Sequence, residues 1–563
     1  MTTPTKIVVV GHGMVGARFV DDVLARAEPG TLEIEVLGGE EYEPYNRVLL
    51  SDVVAGRTDL NSLTLPVTAS EHVTVTRGAV ATAIDRAGQC VHTPLGRHHY
   101  DHLVLATGAR ARIPAVEGLD CGLPAGVHAL RTLDDAREII AATTNARHAT
   151  VVGAGVLGLE AACGLVRRGL DVTVLHTGHG PMDRQLDQGA SAVVTSELER
   201  LGAQVRTQAR TTAVRTQGGR LTGVVATVGE TEHILPTDLL VLACGTQPEA
   251  RLAQDAGLPV GRGIRVGADL ASPADPRVHA IGDCAEPAEG ATGLIAQGWD
   301  QARRLADRIA GVVAARADRA TRVDRAAPLL GSRRPSMALR LALAAGTRPI
   351  ASHEVDADSS GSAADLADPA AGLAGTDVVR LKAAGLDVVT MGRTATGGRV
   401  RTVALSDPSA GRHLTATVSD GLIVAATCVG APDVGADLVA AYTRRLPVPS
   451  DPAHLLLRPL TQTPAPAADP SRMPAGTTVC TCNGVTKADI TDSWERGARS
   501  TEEIARATRA TTGCGGCTDA VCGLAQWLSQ TDHPAASHEG DGGGEETVTE
   551  AQRRQHTCEI AAT

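Results

Sequence analysis

Four of the twelve cysteines form two close pairs late in the 563-residue sequence. The pairs are Cys480-x-Cys482 and Cys514-x-x-Cys517. A [2Fe–2S] cluster takes two thiolates for each of its two irons, so these four cysteines could hold one. Structural zinc also accepts four cysteines, but its pairs are more often separated by two to four residues, and CxC is less usual there. The spacing favours the iron–sulfur cluster and leaves zinc as the alternative.

The segment between the two pairs predicts two short helices. Thr486 is followed three residues later by Asp489, and Ser500 likewise by Glu503, and both are capping-box patterns. Such a helical pair could return the chain so that the second cysteine pair meets the first. A helix beginning just after Cys517 would add its positive N-terminal end, and the glycines of TGCGGC would leave backbone N–H groups free to approach the sulfurs.

A glycine-rich segment early in the sequence has the spacing of a dinucleotide-binding turn. It lies between an apolar, strand-like run and a helical pattern, in KIVVVGHGMVGARFVDDVL. The first glycine permits a tight turn, the second lets the backbone approach a pyrophosphate, and the third lets helix and strand pack closely. A purely structural glycine turn is the alternative. The residues predicted to bind a nucleotide here are Gly11, Gly13, Met14, Val15 and Gly16.

The next strand-like run, LEIEVLGGEE, ends in two acidic residues. An acidic side chain at this point can accept hydrogen bonds from both ribose hydroxyls of an adenosine moiety. The spacing to the following tyrosine favours Glu40 for this role, with Glu41 as the alternative.

The pattern of strand, glycine turn and helix at residues 6–25 recurs at residues 149–168, where it contains Gly153, Gly155 and Gly158. The strand that follows, DVTVLH, ends in His176, at the position where an acid would bind the ribose of NADH. The sequence therefore leaves the choice between NADH and NADPH open. Arg184 could meet the 2′-phosphate of NADPH or could be structural.

Two further segments, HLVLATGARARIP and VHAIGDCAE, end apolar runs in ATG and GD motifs. Together with the two glycine turns they resemble the two-dinucleotide flavoprotein reductases, which are α/β proteins with two Rossmann-like domains. The resemblance implies that FAD is bound at the first turn and NAD(P)H at the second, with NADH favoured, and that hydride passes from nicotinamide to flavin. It also implies that Glu160 lies near the nicotinamide, the alternative being a carboxylate on a helix surface. The further FAD-binding residues implied are Thr107, Gly108, Gly282 and Asp283.

The stretch EEYEPYNRVLLS is a more specific signal. With GHGMVG and MDRQLDQGAS, it resembles the flavoprotein portion of assimilatory nitrite reductase and the electron-transfer subunits of assimilatory nitrate reductase. This resemblance implies that Arg47 lies near the phosphates of the flavin nucleotide, where a guanidinium can bind in a bidentate manner. A surface arginine that caps a helix is the alternative. The segment around CNGVTKADI and GCGGC resembles the bacterioferritin-associated-ferredoxin-like [2Fe–2S] domain.

These cofactors form a chemically coherent series. Hydride delivers two electrons together, an iron–sulfur cluster accepts one at a time, and a flavin can do both. The series needs no catalytic acid, base or nucleophile, and no CxxxxC pair stands beside the first glycine turn to suggest disulfide chemistry. Nitrite reductases of this family continue into sirohaem and [4Fe–4S] domains, which need another group of four cysteines.

The sequence has no second group of this kind, so the resemblance implies electron delivery to a separate catalytic subunit, with a molybdenum-dependent assimilatory nitrate reductase as the expected acceptor. One alternative is a free-standing ferredoxin or rubredoxin reductase. Another is a degenerate flavoprotein whose zinc-filled module serves assembly.

Composition and patterning predict an α/β protein with several domains. The net charge of −11 argues against nucleic acid and anionic membranes as partners. No run reaches the roughly 18 apolar residues of a membrane-spanning helix, and a cytoplasmic location is expected. The predicted ranges are an FAD-binding domain at 1–118 and 236–312, an NAD(P)H-binding domain at 119–235, a linker at 313–374, a small β-rich domain at 375–446, a [2Fe–2S] domain at 477–530 and a disordered tail at 531–563.

Overall fold

The computed structural model of the chain describes residues 3–326, 377–383, 385–392, 400–457, 473–480, 485–511 and 517–532. Its first sheet contains β1 (Thr5–Val10), β2 (Leu32–Leu37), β3 (Val73–Thr76), β7 (His102–Leu105), β19 (Ala271–Ser272) and β20 (Asp275–Ala280). The strands lie in the order β19-β20-β7-β1-β2-β3, with β1 parallel to both of its neighbours. Ile7, Val8 and Val9 are fully buried, because a strand in the middle of a parallel sheet is covered on both faces.

The second sheet repeats this plan with strands that are all parallel. It contains β9 (Val127–Ala129), β10 (His148–Val152), β11 (Asp171–Leu175), β12 (Ala203–Arg206) and β16 (Leu239–Leu242). The strand order is β12-β11-β10-β16-β9. Helices α3 (Leu133–Thr143), α4 (Val156–Arg167) and α5 (Gln188–Leu201) contribute to its hydrophobic core.

Smaller antiparallel and two-stranded elements complete this part of the chain. They are β4 (Ala83–Asp85), β5 (Cys90–Thr93) and β6 (Gly96–His99); β13 (Ala209–Gln217), β14 (Arg220–Val228) and β15 (Thr231–Pro236); β8 (Ala109–Ala111) with β17 (Thr246–Pro248); and β18 (Ile264–Val266) with β21 (Ala285–Pro287). Of two short helices, α2 (Leu50–Val54) lies between β2 and β3 along the chain, and α6 (Arg251–Asp255) lies between β17 and β18.

The predicted duplication and fold class are confirmed. Helix α1 (Met14–Leu24) follows β1 as α4 follows β10, each after a glycine turn. Each helix therefore begins at the carboxyl end of a central parallel strand, which is where open α/β sheets bind ligands.

One boundary differs from the sequence-based expectation. Helix α7 (Ile295–Ala326) packs with α1 in the core of the first sheet and runs through the start of the linker predicted at 313–374. The physical reason is that residues 313–326 are rich in Ala and Arg, both strong helix formers, and contain no Gly or Pro. The rest of the predicted linker up to residue 374, and the tail from residue 533, lie outside the described residues.

A third sheet is antiparallel and shares a core with the second. It contains β22 (Val379–Ala383), β23 (Leu386–Gly392), β24 (Val400–Asp407), β25 (Arg412–Ser419) and β26 (Leu422–Val429), in the order β22-β23-β26-β25-β24, and α8 (Pro432–Thr443) follows. Leu381, Leu386, Val388 and Val429 belong to the same hydrophobic cluster as residues of α4 and α5. The two sheets are therefore packed together as one body.

The cysteine module, residues 473–532, has a small helical core of its own. Its elements are β27 (Thr478–Cys480), β28 (Val485–Thr486), α9 (Lys487–Glu495), α10 (Thr501–Thr508) and α11 (Thr518–Asp532). The capping box of Thr486 and Asp489 is confirmed in both directions. Ser500 caps α10 as expected, but the Glu503 carboxylate accepts from the N–H of Arg499 instead of closing a box on Ser500.

Across the ranges that the structure describes, none of the helices combines the length and the apolar character needed to cross a bilayer.

The shared core predicts that the second and third sheets unfold together. Leu386 is 4% exposed at the start of β23, and the neighbouring Gly385 lies against Leu201 at the end of α5. We expect Leu386→Ala to lower the stability by about 2–5 kcal/mol, because the cavity it leaves cannot fully collapse. Differential scanning calorimetry should show a single flavoprotein transition at lower Tm. Leu95→Ala, at a side chain that is 68% exposed, is the control and should change stability by less than about 0.5 kcal/mol. A separate low-temperature transition in the Leu386 variant would contradict a shared core.

Candidate cofactor site

A cavity of about 880 Å³ opens between the first glycine turn, helix α4 and the third sheet, and the glycines of the second turn, Gly153, Gly155 and Gly158, do not line it. We call it the cofactor cavity. Ten of the eleven residues predicted to bind FAD line it, all except Gly16: Gly11, Gly13, Met14, Val15, Glu40, Arg47, Thr107, Gly108, Gly282 and Asp283. Val156, Leu157 and Glu160 reach the same cavity from α4. Segments far apart in the sequence thus meet around one space.

The backbone of the first turn explains why glycines stand there. Gly11 has φ +114°, and a Cβ on it would lie closer than 3.0 Å to the carbonyl oxygen of Ala106, in the segment that leads to Thr107. A Cβ on Gly16 would clash in the same way with the carbonyl of Gly11, whereas Gly13 has no heavy atom within 4 Å of its Cβ position. Gly11 and Gly16 are therefore required by packing, and Gly13 leaves room for a phosphate group.

The second turn repeats this arrangement. Gly153 has φ +112° and lies against the carbonyl of Ala243, and a Cβ on Gly158 would clash with the carbonyl of Gly153. The space around Gly155 is open. Both turns present the N-terminus of a helix to open space, which suits the pyrophosphate of a dinucleotide.

Glu40 and Arg47 face each other across one side of the cofactor cavity. The Arg47 guanidinium forms an ion pair with the Glu40 carboxylate, and Tyr45 donates its hydroxyl to the same carboxylate at 2.9 Å. Glu41 does not line the cavity and lies beside Gly78. The geometry therefore favours Glu40 over Glu41 as the residue that could accept ribose hydroxyls.

Asp283 is held by an arginine that the sequence did not reveal. Arg131 donates from Nη2 to the Asp283 carboxylate at 2.7 Å and from Nε to the carbonyl of Ala109 at 2.8 Å. Arg131 comes shortly after β9, a strand of the second sheet, so its only sequence signal is an arginine near a strand end. The Gly282 N–H donates to the side chain of Gln301 at 2.7 Å, which ties the GD segment to α7.

Glu160 is a buried carboxylate, 6% exposed, in the first half of α4. Its carboxylate accepts from the Ser51 hydroxyl at 2.6 Å and from the backbone N–H of Lys382 at 2.9 Å. Burial raises the pKa of Glu160 above its ordinary value. The helix-surface alternative is therefore wrong, while a role near the nicotinamide stays a prediction.

Beside the second turn, a carboxylate lies next to the histidine that follows β11. His176 Nε2 is 3.2 Å from Asp183 Oδ2, and His176 Nδ1 accepts from the N–H of Ala154 at 3.4 Å. Arg184 is exposed on the following turn. An acid absent from the end of the strand therefore lies beside that end in the next loop, which the strand pattern could not predict.

In the cysteine module, Cys480 and Cys517 lie in the core, 1% and 7% exposed, and neither forms a disulfide. The Thr511 N–H donates to the Cys517 sulfur at 3.2 Å, and α11 begins directly after this cysteine, as predicted. Both features suit a thiolate that carries negative charge. The other two predicted ligands, Cys482 and Cys514, lie outside the described residues.

The cysteine module contacts helix α1, which packs on the first sheet, through an ion pair. Arg509, at the end of α10, forms an ion pair with Asp21 of α1. Helix α1 is the same helix whose N-terminus forms the first glycine turn.

Solved structures with this fold are two-dinucleotide reductases. A ferredoxin reductase from Rhodopseudomonas palustris has a TM-score of 0.57 at 24% identity, over 76% of this chain and 91% of that chain. A covalent putidaredoxin reductase–putidaredoxin complex has a TM-score of 0.61 at 22% identity, over 81% and 96%. At these identities the likeness shows the fold.

Among curated proteins, similarity covers almost the whole chain. The assimilatory nitrate reductase electron transfer subunit of Bacillus subtilis is 29% identical over 98% of this chain and 64% of that protein. The nitrite reductase [NAD(P)H] of the same organism is 28% identical over 94% and 59%. Rhodocoxin reductase from Rhodococcus erythropolis is 34% identical over 54% of this chain and 72% of that protein. The chain thus spans roughly three fifths of the length of the first two relatives.

Two of the three glycines of the second turn give a matched test. We expect Gly158→Ala to destabilise the protein by about 1–3 kcal/mol, because its methyl group would overlap the carbonyl of Gly153. Gly155→Ala should change stability by less than about 1 kcal/mol, but should weaken NADH binding, because its methyl group occupies the space for the pyrophosphate. Thermal unfolding and NADH titration of both variants check this. Equal NADH affinity in Gly155→Ala and the wild type would contradict the assignment.

Two family models match separate parts of the chain. The pyridine nucleotide-disulphide oxidoreductase family matches residues 5–315, and the BFD-like [2Fe-2S] binding domain matches residues 478–526. The cofactors are therefore FAD and NAD(P)H in the first part and a [2Fe–2S] cluster, not structural zinc, in the second. The first match covers more than half of the 563 residues. The chain is an NAD(P)H-dependent flavoprotein oxidoreductase and belongs to the pyridine nucleotide-disulphide oxidoreductase family.

Proposed function

We propose that the chain takes hydride from NADH onto FAD, passes electrons singly to the [2Fe–2S] cluster, and delivers them to a separate catalytic subunit in nitrate or nitrite assimilation. The observation that carries this proposal is the extent of the similarity. The likeness to the Bacillus subtilis nitrate reductase electron transfer subunit extends over 98% of the chain, and so includes the third sheet and the cysteine module. A molybdenum-dependent assimilatory nitrate reductase is the proposed acceptor.

The proposed domains correspond to the three sheets and the cysteine module. Residues 1–118 and 236–312 would bind FAD, residues 119–235 would bind NAD(P)H, residues 375–446 form the small β-rich domain, and residues 477–530 carry the cluster. A cytoplasmic location is part of the same proposal, and it is supported by the free thiols of Cys90, Cys121, Cys163, Cys244, Cys284 and Cys428.

The residues of the cofactor cavity fit FAD in chemical type. The open space at Gly13 would take the pyrophosphate, Glu40 would accept hydrogen bonds from ribose hydroxyls, and Asp283 would accept one from the ribitol chain. The Arg47 guanidinium, which is paired with Glu40, lines the same cavity and would be the group to contact phosphate oxygens. Bound FAD supplies the step between two-electron and one-electron chemistry.

At the second turn, Gly153, Gly155 and Gly158 would hold the donor's pyrophosphate, and Glu160 would lie near the nicotinamide. Asp183 supports NADH as the donor. A carboxylate beside His176 can accept ribose hydroxyls and would repel the 2′-phosphate of NADPH.

The cluster would be held by Cys480, Cys482, Cys514 and Cys517, with two thiolates for each iron. Cys480 and Cys517 are buried in the same small core, and the N–H of Thr511 is already directed at a sulfur. These two residues therefore support a buried site whose negative charge is partly offset by backbone donors.

A free-standing ferredoxin or rubredoxin reductase is the second candidate. It is supported by the 34% identity to rhodocoxin reductase, which covers 54% of this chain. Purified acceptors distinguish the two functions. Under the main proposal, the NADH-reduced protein reduces a nitrate reductase catalytic subunit faster than it reduces a ferredoxin or rubredoxin. The reverse order would establish the second candidate.

A pair of cysteine variants tests the electron series. We expect Cys517→Ser to lose iron and the EPR signal of the reduced cluster, while NADH still bleaches the flavin absorbance. Electron delivery to the acceptor protein should fall at least about tenfold, which corresponds to about 1.4 kcal/mol in the barrier. Anaerobic NADH titration with optical and EPR detection measures each step.

Cys522→Ser is the matched control, because Cys522 lies in α11 of the same module but outside the four-cysteine pattern. It should keep its iron content and electron delivery. Unchanged iron and unchanged delivery in Cys517→Ser would overturn the proposed ligand set.

A further inference from the structure

We propose that Lys382, from β22 of the third sheet, is a positioning residue of the flavin site whose ammonium group faces the bound FAD and raises its reduction potential. This inference rests on the FAD site of the proposed function but not on the identity of the final electron acceptor. It assigns a function to the small β-rich domain, whose function the sequence did not reveal.

The Lys382 ammonium is buried without a hydrogen-bond partner. Its Nζ lies below the protein surface, contacts no acceptor in the structure, and the residue lines the cofactor cavity. An ammonium carries three donors and is costly to bury when none of them is used. Such a group needs an acceptor from whatever fills the cavity.

The two carboxylates close to Lys382 are held by other donors, although one oxygen of Asp52, Oδ2, is buried without a hydrogen-bond partner. Glu160 accepts from the Ser51 hydroxyl and from the backbone N–H of Lys382, not from its side chain. Asp52 forms an ion pair with Arg57. Burial raises the pKa of both Glu160 and Asp52. The positive charge of Lys382 offsets part of this rise in the pKa of each group. The ammonium therefore interacts with these acids through its charge but donates no hydrogen bond to them. Its N–H donors remain available to a ligand.

The position of Lys382 is fixed by its backbone and its neighbours. Its N–H donates to Glu160, and its carbonyl accepts from the Arg57 guanidinium. Leu381 and Ala383 on either side are buried in the core shared with the second sheet. Since successive side chains of a strand point to opposite faces, burial of these neighbours directs Lys382 to the cavity side.

A cation in this position favours reduced flavin over oxidised flavin. Hydride transfer moves two electrons and one proton from NADH, which leaves as NAD⁺, to oxidised FAD, which gains one negative charge. A positive group within the cavity stabilises the side of this equilibrium that carries the extra negative charge. Lys382 would thus make hydride acceptance from NADH more favourable without transferring a proton or an electron itself.

The composition carries a signal that fits this assignment. The sequence has only three lysines among 53 basic residues, namely Lys6, Lys382 and Lys487. Lysine is a compact charge on a flexible stem, whereas arginine has a planar group that matches carboxylates and phosphates. A lysine is the better fit for a buried point charge beside a ring.

The test is the flavin midpoint potential of Lys382→Met, which keeps the length of the side chain and removes its charge. We expect the equilibrium constant for FAD reduction by NADH to fall about tenfold, which for a two-electron couple is about 30 mV. Anaerobic spectroelectrochemistry of the full-length holoprotein gives the flavin and cluster potentials separately, and the cluster potential should not change. Lys382→Arg keeps the positive charge, so its flavin potential should stay close to that of the wild type.

Lys6→Met is the matched control, because Lys6 pairs with Glu35 in the first sheet and does not line the cofactor cavity. It should leave the flavin potential unchanged. A wild-type flavin potential in Lys382→Met with FAD bound would overturn the inference. If Lys382→Met fails to retain FAD, Lys382→Gln decides, and a wild-type potential in that variant would overturn it equally.

This measurement separates the inference from the proposed function. The potential is read without any acceptor protein, so a shift in Lys382→Met stands even if the chain does not serve nitrate reductase. Conversely, delivery to nitrate reductase with an unshifted potential would leave the proposed function intact and remove Lys382 from the flavin site.

Discussion

The arrangement around the cofactor cavity depends on one buried carboxylate. Glu160 lies on the helix of the second glycine turn and accepts hydrogen bonds from Ser51 and from the backbone of Lys382. A buried carboxylate without donors is strongly unfavourable, so both donors are needed in place together. Glu160 therefore fixes how α4, α2 and β22 of the third sheet meet. Its conversion to a non-accepting side chain would disturb all three at once.

The sequence predicted the parts of the site that follow from local backbone geometry. Gly11 and Gly16 are recognisable because a tight turn followed by a close helix–strand contact excludes every Cβ, and this constraint acts within a few residues. The same holds for Thr486 and Asp489, whose reciprocal caps need no distant partner. Fold class and the two nucleotide sites could be inferred from such short-range patterns.

What the sequence did not reveal depends on contacts between distant segments. Arg131 holds Asp283 although 151 residues lie between them, and no periodicity relates the two positions. Lys382 enters the cavity only because the third sheet packs on α4, which requires a core shared by two sheets. Asp183 lies beside the histidine that follows a strand, in the next loop. In each case the side chain is placed by tertiary packing, which strand and turn signals do not encode.

The ion pair between Arg509 and Asp21 has a consequence for the rate of the electron relay. The two side chains are 22% and 9% exposed, and dissolved salt screens such a sheltered pair much less than exposed charges, whose attraction falls off within about 10 Å at 0.1 M ionic strength. Concentrated electrolyte should therefore leave the cysteine module in contact with α1. The handover from flavin to cluster would then keep its rate in brine for as long as hydride uptake does.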